Sequence, residues 1–335
     1  GRAARSGILF RDAAALERLA GIDALVIDKT GTLTRGEPAV VAIEPAPDET
    51  QESLLALAAS VASRSEHPLS AALANEAARR NLRKAAATGV TAVPGEGVSA
   101  RVLGNEVRLG KAAFAAASWP EETERAAARA KENGETLVFV GVNGTARGFV
   151  ALRDQLRPDA ASLLDGLRAA GLRLTLASGD LAPAVKRVAK ALDIEDWHAA
   201  QAPGDKAALV VALTGQGHRV GMFGDGINDA PALAAASVGI VPASGNDLAR
   251  ATGDVALLAP QLGALLRARR IAGDAARNMR QNLALAFAYN VVGVPLAAGA
   301  LAPWTSWSVD PMLAALAMSL SSVTVVFNAL RMARK

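Results

Sequence analysis

The sequence has no cysteine and only one tyrosine and three histidines, and aromatic residues make up 4% of it. Without cysteine, disulfides and thiolate metal sites are excluded, while the redox compartment stays undetermined. No basic run marks a nucleic-acid footprint: the net charge is only +4, and much of the basicity flanks two uncharged apolar segments, which reads as membrane topology and not as a nucleic-acid partner. The opening GRAARSGILFRDAAALERLA is amphipathic and charged and does not read as a signal peptide. What is abundant is apolar: 51% of 335 residues, enough for a sizeable core and for two or three domains.

Charge disappears altogether from Leu283–Leu301 and from Met312–Leu330. Each is close to the length that crosses a ~30 Å hydrocarbon layer. The link between them, APWTSWSVDP, places Trp304 and Trp307 where a membrane–water interface suits them. Arg267, Arg269, Arg270, Arg277 and Arg280 precede the first segment, and Arg331, Arg334 and Lys335 follow the second. Cations at both outer ends predict a transmembrane hairpin with both ends cytoplasmic and membrane lipid as a partner. A buried hairpin inside a soluble core is the competing reading. The polar or polarizable Tyr289, Asn290, Met318, Ser321 and Ser322 within these segments serve either as interhelical glue or as a transport site.

Three strand-like runs each end in a small polar cluster. Asp23–Ile27 leads into Asp28-Lys29-Thr30-Gly31-Thr32, Leu172–Ala177 into Ser178-Gly179-Asp180, and Arg219–Phe223 into Gly224-Asp225-Gly226-Ile227-Asn228-Asp229. Apolar strands alternating with helical patterns predict an α/β fold with a doubly wound parallel sheet, whose ligands bind off the carboxyl ends of the strands. A carboxylate there can attack phosphorus, which makes Asp28 the candidate nucleophile. Asp225 can hold Mg2+ with Asp28 as co-ligand, Ser178 can donate to a phosphoryl group, and Lys206 can neutralise its charge. Each cluster alone is weak, since Asp and Gly are ordinary turn residues; three in this order are not.

DKTGTLT (Asp28–Thr34) and GDGINDAPAL (Gly224–Leu233) resemble the phosphorylation and hinge signatures of P-type ATPases, a branch of the haloacid-dehalogenase-like superfamily. Ser178-Gly179-Asp180 is similar to the family's TGD, and Asp154–Pro158 and Asp205-Lys206 to its remaining loop motifs. The resemblance implies an aspartyl phosphate at Asp28, ATP and Mg2+ as cofactors, Thr30, Asn228 and Asp229 in the Mg2+ loop, and Asp180 among the nucleotide-facing residues. Soluble phosphatases of the superfamily carry a second Asp two residues after the nucleophile; here that position is Thr30, so hydrolysis of the acyl phosphate should be slow.

Between the phosphorylation loop and Asp154 lies an insert with its own pattern. It has helical stretches at Gln51–Ala62 and Leu69–Arg80 and a hairpin turning at Asn143-Gly144. Ser65-Glu66-His67-Pro68-Leu69 resembles the SEHPL motif of the heavy-metal branch, with Glu66 and His67 at ATP; Gly95 and Gly97 resemble its GxG, and Gly104-Asn105 its later GN pair. A His before Pro is otherwise an ordinary helix start. Ala62 replaces the Glu usual five residues before the His.

In the tail, Asn282 with Tyr289-Asn290, and Met318 with Ser321-Ser322, resemble the last two helices of copper(I) exporters. A thioether suits Cu(I), and Ag(I) is chemically close. The resemblance therefore implies a pump for a soft monovalent ion in a bacterial cytoplasmic membrane, with a copper chaperone as a further partner. It also implies a missing amino-terminal half, the actuator domain and the first six membrane helices. The expected division is a stalk helix at 1–21, a phosphorylation domain at 22–36 and 149–262, a nucleotide-binding domain at 37–148 and a membrane region at 263–335, with spans about 281–302 and 311–331. A membrane-tethered phosphatase of the same superfamily and a non-transporting half-pump subunit are the alternatives.

Overall fold

The computed structural model describes residues 2–63, 65, 67–245, 247–297, 323–328 and 331. The chain opens with α1 (Arg2–Arg5), β1 (Ile8–Phe10), α2 (Ala13–Gly21) and β2 (Ala24–Asp28), which runs into a tight turn at Lys29–Leu33. β3 (Thr34–Pro45), α3 (Gln51–Ala62), α4 (Pro68–Arg79), β4 (Ala87–Val93), β5 (Gly97–Val102) and β6 (Asn105–Gly110) follow. Then come α5 (Ala112–Ala115), α6 (Glu121–Glu132), β7 (Thr136–Val142) and β8 (Thr145–Leu156). The chain continues through α7 (Ala160–Ala169), β9 (Arg173–Ala177), α8 (Ala182–Ala191), β10 (Asp196–His198), α9 (Pro203–Gly215) and β11 (Val220–Phe223). It closes with α10 (Ala230–Ala235), β12 (Val238–Val241), α11 (Asp247–Thr252), β13 (Val255–Leu257) and α12 (Ala264–Ala297).

A seven-stranded sheet runs β1-β13-β12-β11-β2-β9-β10, and every neighbouring pair is parallel except β1 with β13. β2 is buried along its whole length. Its side chains alternate between two cores, as the strand period of two requires. Leu25 and Ile27 pack with Leu19, Leu163, Val185 and Leu265, whereas Ala24 and Val26 pack with Val210 and Leu233. Helices therefore cover both faces. Full burial of each Leu or Ile contributes roughly 1.5–3 kcal/mol, which holds the tip of β2 rigidly.

Residues 1–21, expected as a stalk helix, do not form one helix. Gly7 takes φ +68, and Ile8–Phe10 then add an antiparallel edge strand to β13 before Asp12 caps α2 by accepting from Ala15 N at 2.6 Å. Buried Asp254 fastens this segment by pairing with Arg11 and, at 3.0 Å, with Arg18.

The second sheet is antiparallel, in the order β3-β8-β7-β6-β5-β4. α3 and α4 cover one face, where Leu54, Leu55 and Leu73 meet Val140, Val150 and Leu152; α5 and α6 cover the other against Phe139 and Phe149. Asn143 and Gly144 have φ 49 and 79, the two positive values that a two-residue primed hairpin turn needs. Among the described elements, β3 and β8 carry the chain into and out of this sheet. Both strands reach beyond the expected insert, β3 starting at Thr34 and β8 ending at Leu156.

α12 begins inside the first core, with Leu265, Ala268 and Ala272 buried, and continues with Met279, Leu283, Phe287 and Val291 exposed. Among the described residues no helix is long and apolar enough to cross a membrane. The last residues of the first expected span, 298–302, lie outside the described residues. Most of the second expected span lies outside the described residues.

Candidate active site

Asp28 ends β2, flanked by β9 and β11, and faces Ala177 in register, so Ser178 follows it at the same edge. The residue is 4% exposed, and its Oδ1 accepts from Lys206 Nζ at 2.5 Å. Lys206 comes from the first turn of α9 and also donates to Asp229 Oδ1 at 2.7 Å. Asp225 stands on the loop after β11. One ligand atom each from Asp28, Asp225 and Asp229 lie within 4.8 Å of one another.

These groups set the local electrostatics. Burial, reinforced by Asp229, pushes the Asp28 carboxyl up to about 7 even against Lys206. Burial, again with Asp229, raises Asp225 to about 6. For Lys206 burial pulls downward, but Asp28 and Asp229 outweigh it and hold its ammonium above the usual lysine range. Three carboxylates against one ammonium leave excess negative charge in a desolvated place. That donor set, all hard oxygens and short of positive charge, fits Mg2+. Asp28 and Asp225 would hold the ion, and it would neutralise charge on a transferring phosphoryl group.

The turn after Asp28 is shaped for this approach. Gly31 has φ +73, and a Cβ there would overlap the Asp225 carboxylate. Only glycine lets the two loops come this close. The buried Thr34 Oγ1 accepts from Gly31 N–H at 3.2 Å and stands 2.5 Å from Asp154 Oδ2 and 3.0 Å from the Lys29 carbonyl. Arg157 and Ser244 donate to the Gly31 carbonyl at 3.2 and 3.0 Å. Ser244 carried no recognisable signal in the sequence, because only the fold brings it here. Lys29 is buried and pairs with Asp180 at 2.8 Å, and Ser178 Oγ accepts from Asp180 N–H at 3.2 Å. Asp180 thus sits at the sheet edge beside the turn that follows Asp28, where the sequence placed it. Thr30 and Asn228 are exposed beside the cluster, while the buried Asp229 braces its loop by accepting from Gly226 N–H at 3.2 Å.

The insert carries a cavity of about 450 Å³ that brings His67, Gly95 and Gly97 together over Leu69, Leu73 and Val138. His67 is also the N-cap of α4: its Nδ1 accepts from Leu69 N–H at 3.2 Å. Helix start and cavity wall are the same residue. Gly104 and Asn105 do not reach this cavity. Leu103 and Gly104, with φ 50 and 83, form the hairpin turn between β5 and β6, and Asn105 accepts from Asn143 Nδ2 at 2.8 Å. The pair that does line the cavity is Gly110-Lys111. Gly97 and Gly110 face each other in register, and a Cβ on either would overlap the opposing backbone. Counting outward from the Leu103-Gly104 turn would have found Gly110. Glu66, Met318 and Ser321, and the side chains of Tyr289 and Asn290, lie outside the described residues.

Residues 22–237 match the haloacid dehalogenase-like hydrolase family. Over 338 residues the chain is 42% identical to a copper-transporting P-type ATPase of Rhizobium leguminosarum bv. viciae, covering 99% of this chain and 40% of that protein. It is 40% identical over 334 residues to a silver exporting P-type ATPase of Salmonella typhimurium, with the same coverages. The chain thus spans about 40% of the length of these curated relatives. Among solved structures, a zinc-transporting PIB-type ATPase in the E2.Pi state superposes with a TM-score of 0.84 at 36% identity, covering 98% of this chain and 53% of that one. The catalytic domain of a CPx-ATPase gives 0.67 at 27% identity over 80% of this chain and 97% of that one. The chain belongs to the haloacid dehalogenase-like hydrolase family, and along its whole length it is similar to heavy-metal P-type ATPases.

Proposed function

We propose that the chain is the catalytic part of an ATP-driven exporter of a soft monovalent ion, copper(I) or silver(I), working through an aspartyl phosphate at Asp28. The observation that carries this reading is the buried cluster at the sheet edge, where Asp28 meets Lys206, Asp225 and Asp229. An Asp28 Oδ would attack the γ-phosphorus of ATP as the bond to the departing ADP oxygen breaks. Lys206, already held on Asp28, would neutralise the charge that gathers on the phosphoryl oxygens. Ser178 offers a hydroxyl at the same edge. No side-chain carboxylate stands at position 30 to activate water, which favours an intermediate that persists.

The His67 cavity is the matching nucleotide site, apolar below and rimmed by glycines that admit close backbone approach. The ion preference draws on the copper- and silver-exporting relatives and on Tyr289-Asn290 and Met318 in the apolar segments, against the zinc-transporting structural neighbour. The same relatives support a membrane setting and an amino-terminal partner region that supplies the remaining helices.

Incubation with γ-labelled ATP and Mg2+ should give an acid-stable, hydroxylamine-labile phosphoprotein, and Asp28→Asn should abolish it. Equal labelling of Asp28→Asn would refute the nucleophile. Rapid phosphomonoester hydrolysis without ATP dependence would favour a phosphatase instead.

A further inference from the structure

The insert touches the first sheet's layer at a second place, away from β3 and β8. α6 ends at Glu132 with Asn133 as its C-cap; Gly134 takes φ +70, and Glu135 N–H donates back to the Ala130 carbonyl at 3.1 Å, a glycine-closed helix end. Such an end leaves carbonyls without helical partners. Here Arg187, from the middle of α8, donates through Nη1 to the carbonyls of both Asn133 and Gly134, at 3.0 Å each. A guanidinium in that position also meets the negative end of the α6 dipole. Gly134 lies directly on the α8 backbone, where a Cβ would overlap Ala184. The next residue, Glu135, accepts from Arg153 of β8 at 2.5 Å. Residues 133–135 therefore join the insert to α8 and to the strand that leads back to the core.

α8 begins just after Ser178-Gly179-Asp180, and Asp180 pairs with Lys29, the neighbour of Asp28. The docking point is thus tied to the nucleophile on one side and to the insert on the other. We propose that Arg187 is a positioning residue: its grip on the α6 terminus sets the angle at which the His67 cavity faces Asp28. The proposal rests on reading that cavity as the nucleotide site and Asp28 as the phosphate acceptor. Phosphoryl transfer needs the attacking oxygen in line with the leaving group, and a displacement of about 1 Å can cost on the order of 100-fold in rate. A contact that fixes the angle without touching the ligand should act on the rate of transfer and not on nucleotide affinity.

The absence of cysteine permits a direct test on the full chain. Spin labels are placed at Arg101→Cys in the insert and Gln216→Cys in the core, both exposed positions. Their distance distribution is compared with and without Arg187→Met, which keeps the aliphatic stem but loses both hydrogen bonds. The expected result is a broadened distribution, an ATP Kd unchanged within about two-fold, and phosphoprotein formation slowed about ten-fold, with partial recovery in Arg187→Lys. An unchanged distribution would overturn the proposal, and so would parallel losses of binding and phosphorylation. If the unsubstituted chain forms no phosphoprotein at all, the phosphorylation reading fails, while the distances still decide the role of Arg187.

Discussion

At the scale of the residue, the site is a problem in neutralising charge. Asp28 and Asp225 have folded-state values of about 7 and about 6, both above the ordinary carboxylate value of 3.8. A raised value means that folding favours the protonated form. Stability from these groups is full below about pH 4 and is lost as pH rises through about 6 to 7. Mg2+, if held by Asp28 and Asp225, would bind the ionised pair and should reverse that trend. Thermal unfolding without divalent cation is therefore expected to shift downward between pH 5 and pH 8, and the stabilisation added by millimolar Mg2+ should be larger at pH 8 than at pH 5.5. Equal Mg2+ stabilisation at both pH values would mean that the ion binds elsewhere. The carboxylates and Lys206 were legible in the sequence because each follows a strand or opens a helix within a few residues. Ser244 and the pairing of Lys29 with Asp180 were not, since both depend on loops far apart in the chain.

At the scale of the element, short-range chemistry was readable and long-range pairing was not. Gln51–Ala62 forms the expected helix, and Asn143-Gly144 turns the hairpin where two positive φ values are needed. The three residues of β1 carry too little periodicity to stand out, and their partner β13 lies at the opposite end of the domain sequence. The glycine pair shows how register decides which residues line the cavity. Gly104-Asn105 has the motif's letters but sits at a turn, whereas Gly110-Lys111 lies opposite Gly97 on the cavity wall. Isothermal titration with ATP should find Gly110→Ala weakened by about ten-fold or more, because a Cβ there meets backbone that cannot yield. Gly104→Ala should bind as the unsubstituted chain does, whatever its turn loses in stability. The opposite ranking would restore the turn as the nucleotide contact.

At the scale of the whole molecule, the described residues form two sheets, each with apolar clusters on both faces, joined by two long strands and by the Arg187 contact. Two clusters flank the parallel sheet and two flank the antiparallel sheet. Sheets with separate apolar clusters are expected to unfold with limited cooperativity. Calorimetry should resolve two transitions, and ATP without Mg2+ should raise only the one belonging to the insert. A single transition moving as a unit would mean that the β3–β8 ladder and the Arg187 contact fuse the two.

α12 turns that arrangement into a lever. It is one continuous helix of 34 residues, about 50 Å long at 1.5 Å per residue. Its root is clamped among Leu265, Ala268 and Ala272, and its outer stretch presents Leu283, Phe287 and Val291 outward. A rod seated this way cannot absorb a rotation of its base: a tilt of about 10° there would sweep the far tip by about 9 Å, given the same rise per residue. Any reorientation of the core that holds this root would therefore grow along the helix toward Ala297.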